Sequence, residues 1–370
     1  MFTYVVPCLL GMEGLIAEEL RGMEARDVRA ENGRVLFGGD VSILARANIC
    51  SRFAERIQIL VGEFPARSFD ELFEGTKALP WEDWIGRRNA FPVKGYSIDS
   101  ALFSVRDCQA IVKKAVVERL KGRHGMDWFE ETGPLHQIQF ALFKDRASLL
   151  LDTSGTGLHK RGYRPAAREA PLKETLAAAL CRLARLQPNH TLYDPMCGSG
   201  TIVIEGALMA ANIAPGLHRP FAAERWDGID RRVWREERER AAGLARPAEG
   251  FQAVASDIDG EALAVARENA ARAGVTKYIQ FGQADVRNFR LQGERGTVIT
   301  NPPYGERLLD LAQADELTAV LGRVFQPGRG RSYTILSSSE EFERIFGRRA
   351  SKRRKLYNGM IKCQAYLYYD

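Results

Sequence analysis

The sequence lacks any run of the roughly 18 to 20 apolar residues that a membrane span needs, so globular domains are expected throughout. Its six cysteines (Cys8, Cys50, Cys108, Cys181, Cys197, Cys363) stand singly, no two within four residues. That excludes the paired spacing of a zinc site and leaves no disulfide framework, so a reducing cytoplasm is the expected setting. Histidine is scarce, at five residues (His124, His136, His159, His190, His218). Neither a metal enzyme nor a secreted scaffold fits these absences. Glycine and proline, 34 and 15 of 370 residues, are too few for a collagenous or disordered chain. The apolar start, Met1 to Leu10, has no Lys or Arg ahead of it and runs into Glu13, which favours a first strand over a signal peptide.

What is present is enough chain for about two or three domains. Basic residues exceed acidic ones by 53 to 47, and the excess is focal: Arg344 to Lys355 holds seven basic residues and no acid. A polyanion contact and a solvated loop between strands both account for it. From Met1 to about Val61, β-rich runs (Phe2–Val6, Arg34–Gly38) alternate with helical ones (Gly11–Met23, Val41–Cys50), the pattern of a small α+β unit. A second such unit runs from about Gly62 to Asp152. Its clearest element begins at Ser104 with Asp107 three residues on, a capping-box arrangement, before an apolar stripe Cys108, Ile111, Val112, Ala115, Val116 and Leu120. Runs Gln137–Phe143 and Ala147–Asp152 are expected to pair. After Gly155, strand-like runs (Thr191–Asp194, Gln252–Asp257, Tyr278–Phe281, Thr297–Thr300, Ser332–Leu336) alternate with helices, the period of an open parallel α/β sheet. The excursion Ala211–Gly250 interrupts them; its Arg231–Arg240 stretch is expected to be a solvated helix face.

The chemistry follows the strands. Asp194-Pro195-Met196-Cys197-Gly198-Ser199-Gly200-Thr201 is a strand, a glycine turn and a helix start, where backbone approaches a nucleotide-like ligand closely. Neither the dinucleotide nor the P-loop spacing is met, and no lysine follows to hold phosphates. An acidic residue before the turn suits a ligand carrying an amine and a carboxylate, the latter against helix-start N–H groups. Asp257 ends the second strand, where a carboxylate accepts both ribose hydroxyls; Asp259 is equally suited to capping the next helix or to the ligand. Asp285 follows the third strand, where a side chain reaches an adenine amino group. Together these positions describe an adenosine-containing cofactor without phosphates, S-adenosyl-L-methionine. Cys197 reads as a packing group.

Asn301-Pro302-Pro303-Tyr304-Gly305 follows the fourth strand. The exocyclic nitrogen of a base or amide is a poor nucleophile because its lone pair is delocalised. Two acceptors, the Asn301 side-chain oxygen and the Pro302 carbonyl, can draw it toward a tetrahedral geometry. Pro302 and Pro303 hold the segment extended, and Tyr304 offers a ring for stacking. Catalysis by positioning then requires no general base.

Asp194–Thr201, Asp257–Gly260 and Asn301–Arg307 together resemble an S-adenosylmethionine-dependent amino-methyltransferase of class I. The first 155 residues resemble a ferredoxin-like plus THUMP RNA-binding module. His159-Lys160-Arg161-Gly162-Tyr163-Arg164, Leu172–Thr175 and Lys355–Met360 resemble the same family's junction and closing segments. The resemblance, over essentially the whole chain, is to bacterial guanine-N2 methyltransferases of 23S ribosomal RNA, in a single-activity form. It implies an α/β chain with a Rossmann-like methyltransferase domain over 156–370, after a ferredoxin-like unit over 1–61 and a THUMP domain over 62–155. It implies that residues 301–305 hold the target guanine, and that Asp194, Cys197, Gly198, Ser199, Gly200, Thr201, Asp257, Asp259 and Asp285 line the cofactor. Lys160, Arg161 and Arg164 would meet structured RNA, with salt bridges packing the junction as the alternative. Lys352, Arg353, Arg354 and Lys355 would follow an RNA backbone. The partner would be 23S rRNA or a ribosomal precursor, with no membrane and no metal. The Asn-Pro-Pro-Tyr motif alone also serves transfer RNA, adenine N6 and protein glutamine amides. A non-catalytic RNA-binding assembly factor would need a damaged clamp or cofactor turn, and both are intact.

Overall fold

The structure, a computed structural model, describes residues 1–164, 172–186, 190–293, 295–303 and 311–369. They form two compact units: Met1–Pro7 with Ala17–Leu158 and Arg219–Arg240, and Cys8–Ile16 with His159–His218 and Ala241–Asp370.

The first unit holds strands β1 (Phe2–Pro7), β2 (Arg26–Glu31), β3 (Arg34–Gly39), β4 (Gln58–Pro65), β5 (Val93–Ile98), β6 (Ile138–Phe143) and β7 (Arg146–Asp152). Between them run α2 (Val41–Cys50), α3 (Phe69–Ala78) and α4 (Val105–His124), while α1 (Glu13–Gly22) belongs in part to each unit. The strands make one sheet in the order β2-β3-β1-β4-β7-β6-β5. Two separate N-terminal units are expected from the sequence, yet a single sheet runs through both, because β4 pairs with β1 on one side and with β7 on the other. β6 and β7 pair antiparallel, as their alternating pattern implies. The capping box forms at α3, where Ser68 and Glu71 exchange bonds. At α4 the expected box is not made: the Ser104 hydroxyl donates to the Asp107 carboxylate at 2.5 Å instead of accepting from backbone. Helix α7 (Arg231–Gly243) corrects a further expectation. Its Trp234 and Glu237 are buried, and Glu237 accepts from Arg46 Nε and Nη2 at 3.0 and 2.8 Å. Only its remaining faces are solvated.

The second unit carries α5 (Glu174–Leu183), β8 (Thr191–Asp194), α6 (Thr201–Ala210), β9 (Gln252–Asp257), α8 (Gly260–Arg272), β10 (Ile279–Gln283), β11 (Gly296–Thr300), α9 (Leu311–Val324), β12 (Arg331–Ser337) and α10 (Phe342–Phe346), closing with β13 (Lys352–Asn358) and β14 (Ile361–Tyr368). Its sheet runs β10-β9-β8-β11-β12-β14-β13, parallel from β10 to β12 and antiparallel beyond. The central strand β11 is covered on both faces, which is why it reads as the unbroken buried run Gly-Thr-Val-Ile-Thr. Strand order reverses beside β8, and in open α/β sheets that switch point, outside the carboxyl ends of the strands, is where ligands bind. The basic stretch, read as either a polyanion contact or a loop, is part strand: Lys352–Lys355 open the edge strand β13, where exposed charges also block strand addition.

Candidate active site

The glycine turn, Asp257, Asp259, Asp285 and Asn301–Pro303 fall at the carboxyl ends of β8, β9, β10 and β11. The turn after β8 is fixed by backbone. Cys197 N donates to Ser256 O at 2.9 Å, Gly198 N donates to Asp257 Oδ2 at 2.8 Å, and Asn269 Nδ2 donates to Ser199 O at 3.1 Å. Gly198 and Gly200 take φ of +51° and +78°, and a Cβ on Gly200 would meet the Ala266 side chain at 3.0 Å. Around Gly198 nothing lies within 4 Å of that position, so the turn leaves an open cradle.

Asp257 Oδ1 also accepts from Asp259 N at 3.0 Å, so each carboxylate oxygen holds one backbone N–H and keeps acceptor capacity for a hydroxyl pair. Asp259 is the N-cap of α8, accepting from Glu261 N at 2.8 Å. Asp285 is turned to its own backbone, accepting from Arg287 N at 2.8 Å and Nη1 at 3.1 Å, and these bonds hold its carboxyl below the usual range. It is therefore engaged locally, with reach to a ligand left to its exposed edge. Asp194 is fully buried. It accepts from Thr300 Oγ1 at 2.9 Å, which ties the ends of β8 and β11 together. Burial pushes its carboxyl up to about 7, with Asp257 adding to the shift and the Thr300 bond opposing it. Cys197 is buried, and burial raises its thiol above the ordinary range, which fits a packing role.

Asn301 follows Thr300 directly, and its Oδ1 is buried without a hydrogen-bond partner among the described residues. A buried acceptor left unmet costs about 1 to 3 kcal/mol, a cost that a ligand N–H at this strand end would remove. Pro302 is buried and Pro303 half-buried. Tyr304 and Gly305 lie outside the described residues. Three neighbours escape the sequence reading. Thr300 is an ordinary strand residue until its bond to Asp194 is seen. Ile258 stands between two aspartates with 64% of its surface exposed, an apolar face beside the Asp257 carboxylate. Gln283 Nε2 donates to Ile258 O at 2.9 Å and steadies it. The cradle at Gly198, the hydroxyl-ready Asp257 and the apolar Ile258 fit an adenosyl ligand with no phosphate.

The basic candidates divide. Arg161 and Arg164 do not face solvent: Arg161 pairs with buried Glu205 at 3.5 Å and Arg164 with buried Glu174 at 3.0 Å. Their position in a basic hexapeptide hides this, since the carboxylates they meet are 10 and 44 residues away in the chain. Lys160 is exposed, as are Lys352, Arg353, Arg354 and Lys355. Arg353 donates to Glu343 Oε1 at 2.9 Å, so its charge is already matched.

Comparison with known proteins adds three domain matches: an RlmL ferredoxin-like domain over residues 3–58, a THUMP domain over 66–152, and an RMKL-like methyltransferase domain over 161–366. The chain is 44% identical over its whole length to YpsC of Bacillus subtilis strain 168, named as a candidate RNA methyltransferase, and covers 96% of that protein. It is 34% identical over 98% of its length to the ribosomal RNA large subunit methyltransferase K/L of Psychromonas ingrahamii, of which it spans 49%. The crystal structure of SMU.472, a candidate methyltransferase complexed with S-adenosylhomocysteine, superposes with a TM-score of 0.92 at 40% identity, covering 100% of this chain and 98% of that one.

Proposed function

The chain belongs to the RMKL-like methyltransferases and is an S-adenosylmethionine-dependent RNA methyltransferase; from that premise we propose that it methylates the exocyclic N2 of a guanine in 23S ribosomal RNA. The observation that carries this reading is the Oδ1 of Asn301 after β11, buried and without a partner among the described residues.

When bound, S-adenosylmethionine supplies an electrophilic methyl group on a sulfonium. The chain's own residues do the rest. Asn301 Oδ1 accepts one N–H of the guanine amine and the Pro302 carbonyl accepts the other. These bonds pull the nitrogen lone pair out of conjugation and aim it. As the guanine nitrogen takes the methyl group, whose bond to sulfur breaks to leave neutral S-adenosylhomocysteine, positive charge develops on nitrogen, and both acceptors would stabilise it before one proton leaves to solvent. No residue needs a shifted pKa for this; orientation and preorganised dipoles suffice. Tyr304 offers by its ring a stacking surface for the base. Asp257 takes the ribose hydroxyls, the open turn at Gly198–Thr201 takes the amino-acid end, and Ile258 lies against the adenine. The guanine must leave its stack to reach the clamp, so the THUMP-bearing unit grips structured RNA while one base is extruded. Lys160 and the exposed cations of β13 follow the backbone. A cytoplasmic setting suits this substrate; among the described residues no helix is long and apolar enough to cross a membrane.

Deleting the gene and comparing nucleosides of separated ribosomal and transfer RNA tests the reading. Loss of N2-methylguanosine from 23S rRNA is expected. Its persistence there, or loss of N6-methyladenosine instead, overturns it.

A further inference from the structure

Arg164 looks from sequence like an RNA contact, and the geometry assigns it a different task. Its guanidinium lies in the second unit and makes three bonds at once: Nε to Glu174 Oε1 at 3.0 Å, Nη1 to Leu172 O at 3.2 Å, and Nη1 to Thr201 Oγ1 at 3.1 Å. Thr201 is the first residue of α6 and the last of the glycine turn, and its Oγ1 lies 3.2 Å from Ser199 Oγ. One turn along the same helix face, Glu205 is met by Tyr163 Oη at 3.1 Å and by Arg161 at 3.5 Å. The segment 161–164 therefore staples the opening turn of α6 at two successive levels, with both carboxylates buried.

The turn is thus held from two sides. β9 fixes its first half through Cys197 N and Gly198 N. Among the described residues the side-chain bonds of Thr201 are to Arg164 and Ser199, not to β9. We propose that Arg164, anchored by Glu174, is a positioning residue that holds the Ser199–Thr201 half of the turn in its ligand-ready form, and so sets affinity for S-adenosylmethionine without touching it. A buried ion pair contributes little net stability once desolvation is counted, which leaves geometry as the function of this one. An arginine fork is needed because Nε and Nη1 together meet three acceptors, Glu174 Oε1, Leu172 O and Thr201 Oγ1. A lysine ammonium keeps the charge opposite Glu174 but cannot reach all three.

The inference rests on the cofactor assignment made above, and its test needs no RNA. In the full chain, Arg164→Lys is expected to weaken S-adenosylmethionine binding, measured by calorimetry, by about tenfold, the worth of one charge-assisted hydrogen bond. The turnover number at saturating cofactor and the urea midpoint should stay near wild type. Thr201→Val, which removes the acceptor and keeps the shape, should weaken binding by a similar factor. The double variant should be no worse than either single one, because both break the same link. Wild-type affinity in either single variant overturns the proposal. So do effects that multiply in the double variant, or a lowered urea midpoint with affinity intact. Should Arg164→Lys not fold, Thr201→Val carries the test alone, and wild-type affinity there overturns it. If the wild-type chain bound no S-adenosylmethionine, the proposed function would fall; if it binds and the variants bind equally, only this inference falls.

Discussion

Asn301→Ala separates catalysis from folding more sharply than any other substitution in this chain. In most buried sites an amide satisfies its neighbours, and removing it exposes them. Here Oδ1 has no hydrogen-bond partner to lose among the described residues. Its burial already costs about 1 to 3 kcal/mol of unmet desolvation, so alanine should leave stability unchanged or raise it by up to about 1 kcal/mol after the small void is counted. The reaction pays in the other direction, since the acceptor meets positive charge that develops only in the transition state. Loss of one such preorganised group slows chemistry by about 100- to 1,000-fold. Single-turnover transfer of labelled methyl to RNA reads the rate, calorimetry reads cofactor affinity, and urea denaturation reads stability. The expected pattern is a slow, stable variant that binds S-adenosylmethionine normally. A variant destabilised by more than about 2 kcal/mol with its rate intact would refute the reasoning, because Oδ1 would then be a structural acceptor.

Asp257→Ala should weaken cofactor binding first, both by removing the ribose acceptor and by releasing Gly198 N; unchanged affinity by calorimetry would remove Asp257 from the site. Replacing Lys352, Arg354 and Lys355 by Ser should flatten the salt dependence of RNA affinity by up to about one log–log unit per lost phosphate contact. Arg353→Ser should do less, because Glu343 already neutralises it, and an unchanged slope in the triple variant would return this strand to edge protection. Asp194 makes stability pH-dependent. Its folded carboxyl is raised to about 7, so the folded state holds a proton that the unfolded chain has released above the ordinary range. Stability is full at low pH, falls between about pH 4 and 7 by roughly 4 kcal/mol, and is level above. Asp194→Asn should flatten that window in urea denaturation; a slope unchanged by the substitution would show that another group titrates.

Much of the molecule is legible in order along the chain. Strand periodicity places β8, β9, β11 and β12 within a residue or so, because strands buried on both faces write long apolar runs. The local motifs are equally readable: glycines where the turn needs positive φ, an aspartate after β9, and Asn-Pro after β11. Each is a matter of a few adjacent residues, and short-range sterics and hydrogen bonding suffice to interpret it.

What the chain order leaves open is who meets whom. Arg161 and Arg164 read equally as RNA contacts or as junction salt bridges, and only folding shows that Glu205 and Glu174 meet them. Asp194 reads as a ligand carboxylate, and only the pairing of β8 with β11 sets Thr300 against it. Helix α7 reads as solvated until Arg46 comes within reach of Glu237. A charge's role depends on its solvent exposure and its counter-ion, both set by contacts between distant residues, and composition or periodicity encodes neither. The amino-acid sequence determined the chemistry available at each strand end; the tertiary structure decided which charges face a ligand and which hold the frame.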